Sequence, residues 1–214
     1  MISASAIGGI AAVSFGMVMT PGPNMIYVVS RSVSQGRRAG MISLGGVVLG
    51  FLTYLTAAVA GLSALFALVP TAYLALKLAG AGYLLWLAWR AFRSPAHSPF
   101  RAAEMAHERP LKLFGMGVLT CLLNPKLAIL YITLLPQFVE PAKGRVALQS
   151  AVLGLTQITV GTLGNAAFVL TAGALAGFLA RRPLLQRLHG WATGTLLAGF
   201  AVRIATERGR AAVA

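Results

Sequence analysis

Long apolar stretches separated by short polar segments dominate the hydrophobic pattern of this chain. They predict six helices, at about 3–30, 41–64, 71–92, 112–138, 147–179 and 187–206. Each is long enough to cross a bilayer, which takes roughly 20 apolar residues. In lipid such stretches have to be helical, because an open strand would leave its backbone polar groups unsatisfied. The pattern therefore predicts an all-α, polytopic membrane protein with six transmembrane helices.

The first and the fourth of these helices are interrupted by proline. Residues 19–25 read MTPGPNM, and residues 122–130 read LLNPKLAIL. Proline lacks a backbone donor and clashes with the preceding turn, so we expect both helices to be broken there. At the first break, carbonyls of residues 17 to 19 should be exposed, and Gly22 should permit backbone that other residues disfavour. A plain proline kink is the alternative interpretation.

The two breaks occupy corresponding places in two weakly similar halves. The sequence Phe-Gly-Met precedes each of them, at 15–17 and at 114–116. With three helices per half, the second half would be inverted relative to the first. Inverted repeats with interrupted helices are typical of secondary transporters, in which the interruptions mark the substrate site. We expect one transporter domain over 1–214, with a first repeat at 1–92, a cytoplasmic linker at 93–111 and a second repeat at 112–214.

Composition and charge agree with a membrane protein. The chain is 57% hydrophobic and 10% charged, whereas a soluble domain has about 25% charged residues. The net charge of +14 comes from basic residues clustered between the apolar stretches, as in cytoplasmic loops facing anionic lipid, and nucleic-acid binding is not indicated. With the N-terminus outside, the inner segments hold eleven basic residues, Arg31, Arg37 and Arg38 among them, and the outer ones six. This bias predicts that both termini are outside.

Lys126 lies directly after the second break, about midway along its apolar stretch. A lysine near the bilayer centre costs on the order of 2.5–3.5 kcal/mol. The chain has no aspartate, and its four glutamates lie outside the predicted membrane cores, so the partner of Lys126 is not a carboxylate of the protein. Freed carbonyls, Asn24 or the carboxylate of a bound substrate remain as partners. Alternatively, Lys126 caps a broken half-helix.

Other polar and small residues within the helices add weaker signals. Gln157 and Asn165 share one face of the fifth helix, which either lines a polar cavity or bonds to neighbouring helices. Tyr54 and Tyr131 are interpreted as packing or interfacial residues. The three histidines lack metal-ligand spacing, so neither a metal nor another cofactor is expected. Small-residue spacings that predict close helix packing are Gly46-x-x-x-Gly50, Gly173-x-x-x-Gly177 and Gly190-x-x-x-Gly194.

With these motifs the chain resembles the LysE/RhtB family of bacterial amino-acid exporters over nearly its whole length. The resemblance rests on TPGPNMIYVVSRSVSQGRRAG (20–40), LKLAGAGYLLWLAWRAF (76–92), LLNPKLAILYITLLPQFV (122–139) and LGLTQITVG (153–161), of which the first and third are specific. It implies a small, dimeric, six-helix secondary transporter, driven by an ion gradient, that exports amino acids such as threonine, homoserine, leucine or lysine across the bacterial inner membrane. The family's first-helix motif falls on Pro21, Gly22, Pro23 and Asn24, and its fourth-helix motif on Asn124, Pro125 and Lys126.

The chain departs from this family at one position of the second helix. Many members have a polar or acidic residue after the helix's glycine, whereas here Gly50 is followed by Phe51. The usual proton-carrying group is therefore absent. If protons are the coupling ion, Lys126 or the substrate itself would have to carry them.

The sequence thus predicts a secondary exporter of a small zwitterionic solute, an amino acid or an amino-acid derivative, and not an enzyme. The predicted substrate-binding residues are Pro21, Gly22, Pro23, Asn24, Asn124, Pro125, Lys126, Gln157 and Asn165. The runner-up is a membrane thiol–disulfide electron carrier of a related six-helix fold, which would need two facing cysteines where this chain has Cys121 alone. An intramembrane hydrolase would need a Ser–His or Asp–Asp pair within the spans. A receptor or scaffold would leave the mid-membrane lysine unexplained.

Overall fold

The computed structural model of the chain describes residues 2–68 and 107–180, together with single positions at 78, 81, 82, 85, 86, 89, 191, 195, 198, 199, 201 and 202. These residues are helical wherever they are regular, and none of them forms a strand. The α-helices are α1 (Ala4–Met19), α2 (Pro23–Gln35), α3 (Arg37–Leu68), α4 (Pro110–Leu122), α5 (Pro125–Ile129) and α6 (Val146–Ala180). A π turn (Leu130–Leu134) and a 3-10 turn (Leu135–Phe138) continue α5, and a second 3-10 turn (Pro141–Lys143) precedes α6. The chain is all-α over the part that the structure describes.

Two described helices are long and apolar enough to cross a membrane by themselves. They are α3, over Arg37–Gly61, and α6, over Val146–Ala172. Two further spans result if each bent helix pair counts as one. In these pairs α1 meets α2 at an angle of 54°, and α4 meets the helical segment Pro125–Phe138 at 50°. The described part therefore holds two to four candidate membrane spans.

The connection between α2 and α3 is much shorter than the sequence suggested. Only Gly36 separates the two helices, and its positive φ of 87° is a conformation that favours glycine. Arg31, expected among the cations of an inner loop, instead lies within α2 and is 3% exposed. Its guanidinium donates to the side chain of Gln35 and lies over the ring of Tyr27. The expectation was wrong because helical order continues past the apolar stretch on which the boundary was based.

Close contact of α3 with α4 depends on glycine. A Cβ added to Gly46 would lie 2.0 Å from the backbone oxygen of Phe114, and one added to Gly117 would lie 2.2 Å from that of Ser43. At Gly50 it would lie 2.5 Å from the Cβ of Cys121. Such short distances leave no room for a side chain, so the packing role predicted for Gly46 and Gly50 is confirmed. The surroundings of the other two glycine pairs lie outside the described residues.

Parts of the predicted organisation lie outside the described residues. These parts are most of the third and sixth predicted helices and residues 93–106 of the linker. Within those two helices, Ala81 and Ala201 are helical and buried, and both belong to the apolar core. The core between α1, α2, α3, α5 and α6 includes Ile10, Val28, Phe51, Tyr131 and Leu153. It surrounds the region where the two bent pairs meet.

Candidate functional site

The break between α1 and α2 follows from the two prolines. A residue that precedes proline is pushed out of the helical region towards extended backbone. Thr20, before Pro21, has φ −82° and ψ 118°, and Gly22, before Pro23, has φ −149° and ψ 174°. Helix α2 then starts with Pro23 in its first turn, where no backbone donor is needed. Because Gly22 has a negative φ that other residues also adopt, the expectation of a glycine-only conformation was wrong.

The second break is built by the same rule with an added cap. Asn124 precedes Pro125 and is extended, with φ −82° and ψ 106°. Its side-chain Oδ1 accepts a hydrogen bond of 3.1 Å from the backbone N–H of Lys126. Asparagine is a favoured residue at this position because it satisfies a donor that the first turn of a helix leaves free. Asn124 therefore lies between the two half-helices and caps the start of the second.

The two breaks lie side by side. The Asn124 side-chain amide donates to the side-chain oxygen of Asn24 over 3.1 Å. Both asparagines are buried. The two asparagines are thus in contact although they are 100 residues apart in the chain. Polar groups of the two breaks are thereby joined within a largely apolar interior.

Lys126 crosses from the second break to the first. Its ammonium donates to the backbone oxygen of Met17 and, over 2.7 Å, to that of Thr20. In an unbroken helix the N–H of residue 21 would bond to the oxygen of Met17, but Pro21 has none. The ammonium thus caps the C-terminal end of α1, where the helix dipole favours positive charge. Three partners for Lys126 were considered from the sequence, and the structure shows freed carbonyls. The lysine thereby caps a half-helix, which was the alternative interpretation.

These groups border a small cavity at the meeting point of the breaks. The cavity has a volume of about 40 Å³, which is room for about three waters. Six of the predicted substrate-binding residues line it: Gly22, Asn24, Asn124, Lys126, Gln157 and Asn165. The predicted Pro21, Pro23 and Pro125 are not among the lining residues and shape the site by breaking the helices.

Helix α6 contributes one wall of the cavity. Gln157 and Asn165 are both buried and face it together, as their spacing suggested. The Gln157 oxygen accepts a hydrogen bond of 2.6 Å from the hydroxyl of Tyr131, whose ring stacks on Tyr54 with centroids 5.5 Å apart. Asn165 donates to the backbone oxygen of Gly161, while its own Oδ1 has no hydrogen-bond partner among the described residues. The wall therefore holds one fixed amide and one acceptor that is available to a ligand.

Nine further lining residues were not among the predicted substrate-binding residues. They are Ser14, Met17, Val18, Thr20, Met25, Phe51, Leu127, Leu130 and Gly161. Most are apolar, and an apolar side chain that faces a cavity looks the same in a sequence as one that faces lipid. The carbonyls expected to be exposed at residues 17 to 19 already pointed to Met17 and Val18, and a signal existed for two more. Gly161 lies midway between Gln157 and Asn165 on the same helical face, and Thr20 directly precedes the proline that ends α1.

Acidic side chains are absent from the described lining of the cavity. Glu140 accepts from the hydroxyl of Ser3, next to the start of α1, and pairs with Lys143. Glu108 lies just before α4 and pairs with Lys112 over 2.8 Å. The hydrogen bond from Lys112 lowers the pKa of the Glu108 carboxyl below its ordinary value of 4.5. Both glutamates lie at helix ends, and neither lines the cavity. No carboxylate of the described lining therefore offsets the positive charge of Lys126.

Two bent helix pairs that meet around a partly buried lysine define a class: helical membrane proteins whose polar site lies between apolar spans. The model of the LysE type translocator family matches residues 15–208. The chain belongs to this family. It is therefore a transmembrane transport protein.

Similar proteins span nearly the whole chain. An uncharacterized membrane protein of Pseudomonas aeruginosa is 31% identical over 200 residues, which cover 89% of this chain and 90% of that protein. A leucine efflux protein of Salmonella typhimurium is 26% identical over 190 residues, with the same coverage of 89% and 90%. An uncharacterized membrane protein of Vibrio cholerae is 27% identical over 191 residues, covering 89% and 91%. No solved structure matches the chain.

Proposed function

We propose that this protein is a secondary active transporter that exports a small, neutral amino acid from the cytoplasm across the bacterial inner membrane by alternating access. Membership of a translocator family supports transport as opposed to catalysis. The leucine efflux proteins among its relatives support an amino acid as the solute. A thiol–disulfide carrier is not favoured, because Cys121 is the only cysteine of the chain.

One observation carries this proposal: Lys126 and two asparagines meet at the junction of the two helix breaks. A zwitterionic amino acid has a carboxylate for the lysine and an ammonium for oxygen acceptors, so it neutralises the site and satisfies its polar groups together. A purely apolar solute would leave the lysine without a counter-charge. An inorganic cation would be repelled by it. The zwitterion is the solute that fits both requirements.

The apolar part of the lining favours an aliphatic side chain. Met25, Phe51, Leu127 and Leu130 face the cavity, and burying a leucine-sized side chain against such groups contributes about 1.5–3 kcal/mol. Among threonine, homoserine and leucine, this favours leucine. A basic side chain such as that of lysine would add a second cation to a wall without a described carboxylate, which disfavours it as the solute.

The architecture that we infer has six spans in two inverted repeats. Nearly equal bends of 54° and 50°, each at a proline that begins a half-helix, support treating the first and fourth helices as broken spans. The spans 71–92 and 187–206 complete the set, 93–111 is the linker of the single domain, and both termini face the periplasm. A homodimer in contact with membrane lipid and a proton-driven cycle belong to the same proposal.

The experiment compares Lys126→Met with Lys112→Met in an export assay. The side chain of Lys112 is 59% exposed and lies in the first turn of α4. Its variant therefore controls for the loss of one positive charge. Overproducing cells are loaded with a leucine-containing dipeptide, and leucine in the medium is measured at matched membrane levels of protein. We expect Lys126→Met to abolish export and Lys112→Met to retain it. Normal export by Lys126→Met would refute the assigned role of the lysine.

The same strains identify the solute. Growth on a panel of inhibitory amino acids and analogues is compared between cells with the wild-type protein and cells with Lys126→Met. We expect protection against leucine analogues and other branched aliphatic amino acids. Protection limited to basic amino acids, or no protection against any member of the panel, would contradict the proposed solute.

A further inference from the structure

The end of α1 presents two backbone oxygens that the helix itself does not use in the ordinary way. Pro21 cannot donate to the oxygen of Met17, and the extended backbone at Thr20 and Gly22 turns the chain out of the helix before Asn24 could donate to the oxygen of Thr20. The preceding oxygen, of Gly16, accepts from both the N–H and the hydroxyl of Thr20. The break thus leaves the oxygens of Met17 and Thr20, the carbonyl pair, facing the cavity.

The carbonyl pair has the properties of a cation site. Two oxygens converge on one nitrogen, and they belong to the last turn and the C-terminal cap of a 16-residue helix, whose dipole places partial negative charge there. Gly22 leaves space beside them, since a Cβ on that residue would lie 3.6 Å from the lysine Nζ and 3.5 Å from its Cδ. Carbonyl oxygens buried in a membrane protein are costly when they lack a donor.

The group that fills this site is a primary ammonium, that of Lys126. A free amino acid carries the same chemical group on its α-carbon. The cavity beside the site is small, and the Lys126 ammonium already occupies the oxygens at this end of it. The Lys126 side chain is the one whose departure both frees the carbonyl pair and supplies a cation for the incoming carboxylate.

We propose that the carbonyl pair of Met17 and Thr20 is the subsite for the α-ammonium of the transported amino acid, and that Lys126 is its tethered occupant in the empty protein. Loading then exchanges one ammonium for another at the same oxygens, and the released Lys126 pairs with the carboxylate. This rests on the function proposed above. Asn165, whose Oδ1 has no partner among the described residues, lines the same cavity and offers the incoming ammonium a further acceptor.

The exchange keeps the positive charge at the end of α1 constant. The oxygens have a donor both before and after loading, and the lysine is never left without an anionic or dipolar partner. It also selects against solutes that lack either end of the zwitterion. An amine without a carboxylate would displace Lys126 and leave it unpaired, and a carboxylic acid without an amine would not displace it.

The test uses purified full-length protein in detergent and a probe that needs no transport. Thermal unfolding is followed for the wild type, Lys126→Met and the control Lys112→Met, with methylammonium chloride, tetramethylammonium chloride or sodium chloride at equal ionic strength. Lys126→Met vacates the carbonyl pair, so methylammonium should raise its Tm saturably, by about 3 °C or more at tenfold excess over Kd. Tetramethylammonium has the same charge but no N–H, and it should have no such effect.

The outcomes separate the alternatives. The wild type and Lys112→Met should respond to methylammonium weakly or not at all, because Lys126 already fills the site. An equal response of all three proteins, no response of folded Lys126→Met, or a saturable response to sodium in place of methylammonium would each overturn the proposal. If Lys126→Met cannot be purified, Lys126→Ala takes its place. If neither variant can be purified, rescue of folded yield by methylammonium, and not by tetramethylammonium, is expected, and its absence counts against the proposal.

This experiment and the export assay fail independently. A methylammonium response in Lys126→Met without any amino-acid export by the wild type would leave the ammonium site standing and remove the transport function. Export by the wild type without a methylammonium response in the variant would do the reverse. A double variant sharpens the assignment further. Pro21→Ala restores a backbone donor opposite the oxygen of Met17, so adding it to Lys126→Met should abolish the response.

Discussion

The hydrogen bond between Asn24 and Asn124 links the two helix breaks, and its removal should destabilise the protein in a way that can be calculated. Asn24→Ala removes the acceptor of one buried bond of 3.1 Å. Side-chain hydrogen bonds within membrane proteins contribute about 0.6 kcal/mol on average and about 1.7 at most. Asn124→Ala removes the same bond and also the cap on the backbone N–H of Lys126, which is worth about 0.5–2 kcal/mol. We expect Asn124→Ala to cost about 1–4 kcal/mol and Asn24→Ala about half of that.

The double variant isolates the bond itself. If the two side chains stabilise the protein through each other, Asn24→Ala together with Asn124→Ala should cost less than the sum of the single variants, by about 0.6–1.7 kcal/mol. Asn165→Ala is a matched control, because its amide donates to an oxygen of its own helix and its effect should add to that of Asn24→Ala. For a chain of this size each kcal/mol corresponds to about 2–4 °C in Tm.

Stability is measured as the fraction of monodisperse protein that remains after heating, by size-exclusion chromatography of a fluorescent fusion in detergent. The assay requires no transport and no knowledge of the solute. Strict additivity of the two asparagine substitutions would refute the reasoning, because the bond would then contribute nothing. So would a larger loss from Asn24→Ala than from Asn124→Ala, since only Asn124 also caps a helix.

Three further variants test other features of the site and its surroundings. Gly46→Ala should lower Tm by several degrees, since overpacking costs about 1–3 kcal/mol. Gly45→Ala is the control and should not lower Tm, because its Cβ would lie 3.6 Å from the nearest atom. Equal effects of the two substitutions would contradict the packing of α3 on α4. Tyr131→Phe leaves a buried amide oxygen without its donor and should cost about 1–3 kcal/mol; an unchanged Tm would show that the bond is not needed. Phe51→Ala should increase export of bulkier aromatic amino acids relative to leucine, and an unchanged export ratio would remove Phe51 from the selectivity surface.

The positions of the breaks could be predicted from the sequence because they depend on local sterics. Each of Thr20, Gly22 and Asn124 precedes a proline, which favours the extended backbone that each of them has. The freed oxygen of Met17 follows from the missing N–H of Pro21, four residues later. The shared face of Gln157 and Asn165 needs only the period of a helix.

The features that could not be predicted depend on how the helices meet. Rise along a straight helix would place Asn24 nearer to one side of the membrane than Lys126, whereas the structure brings the two breaks into contact through Asn24 and Asn124. Arg31 was assigned to a loop because charged residues usually mark loops, whereas here it lies within α2 and is buried. Phe51 and Leu130 line the cavity, but in the sequence they look the same as apolar residues that face lipid.

The glycine contact between α3 and α4 determines which parts of the protein can move. Where Gly46 and Gly117 lie, backbone rests on backbone, and neither helix can rotate or slide along the other without one peptide group striking the next. The contact between Asn24 and Asn124 at the cavity is different, because it is made by side chains that can separate and reform. We therefore expect any movement that opens the cavity to carry α3 and α4 together.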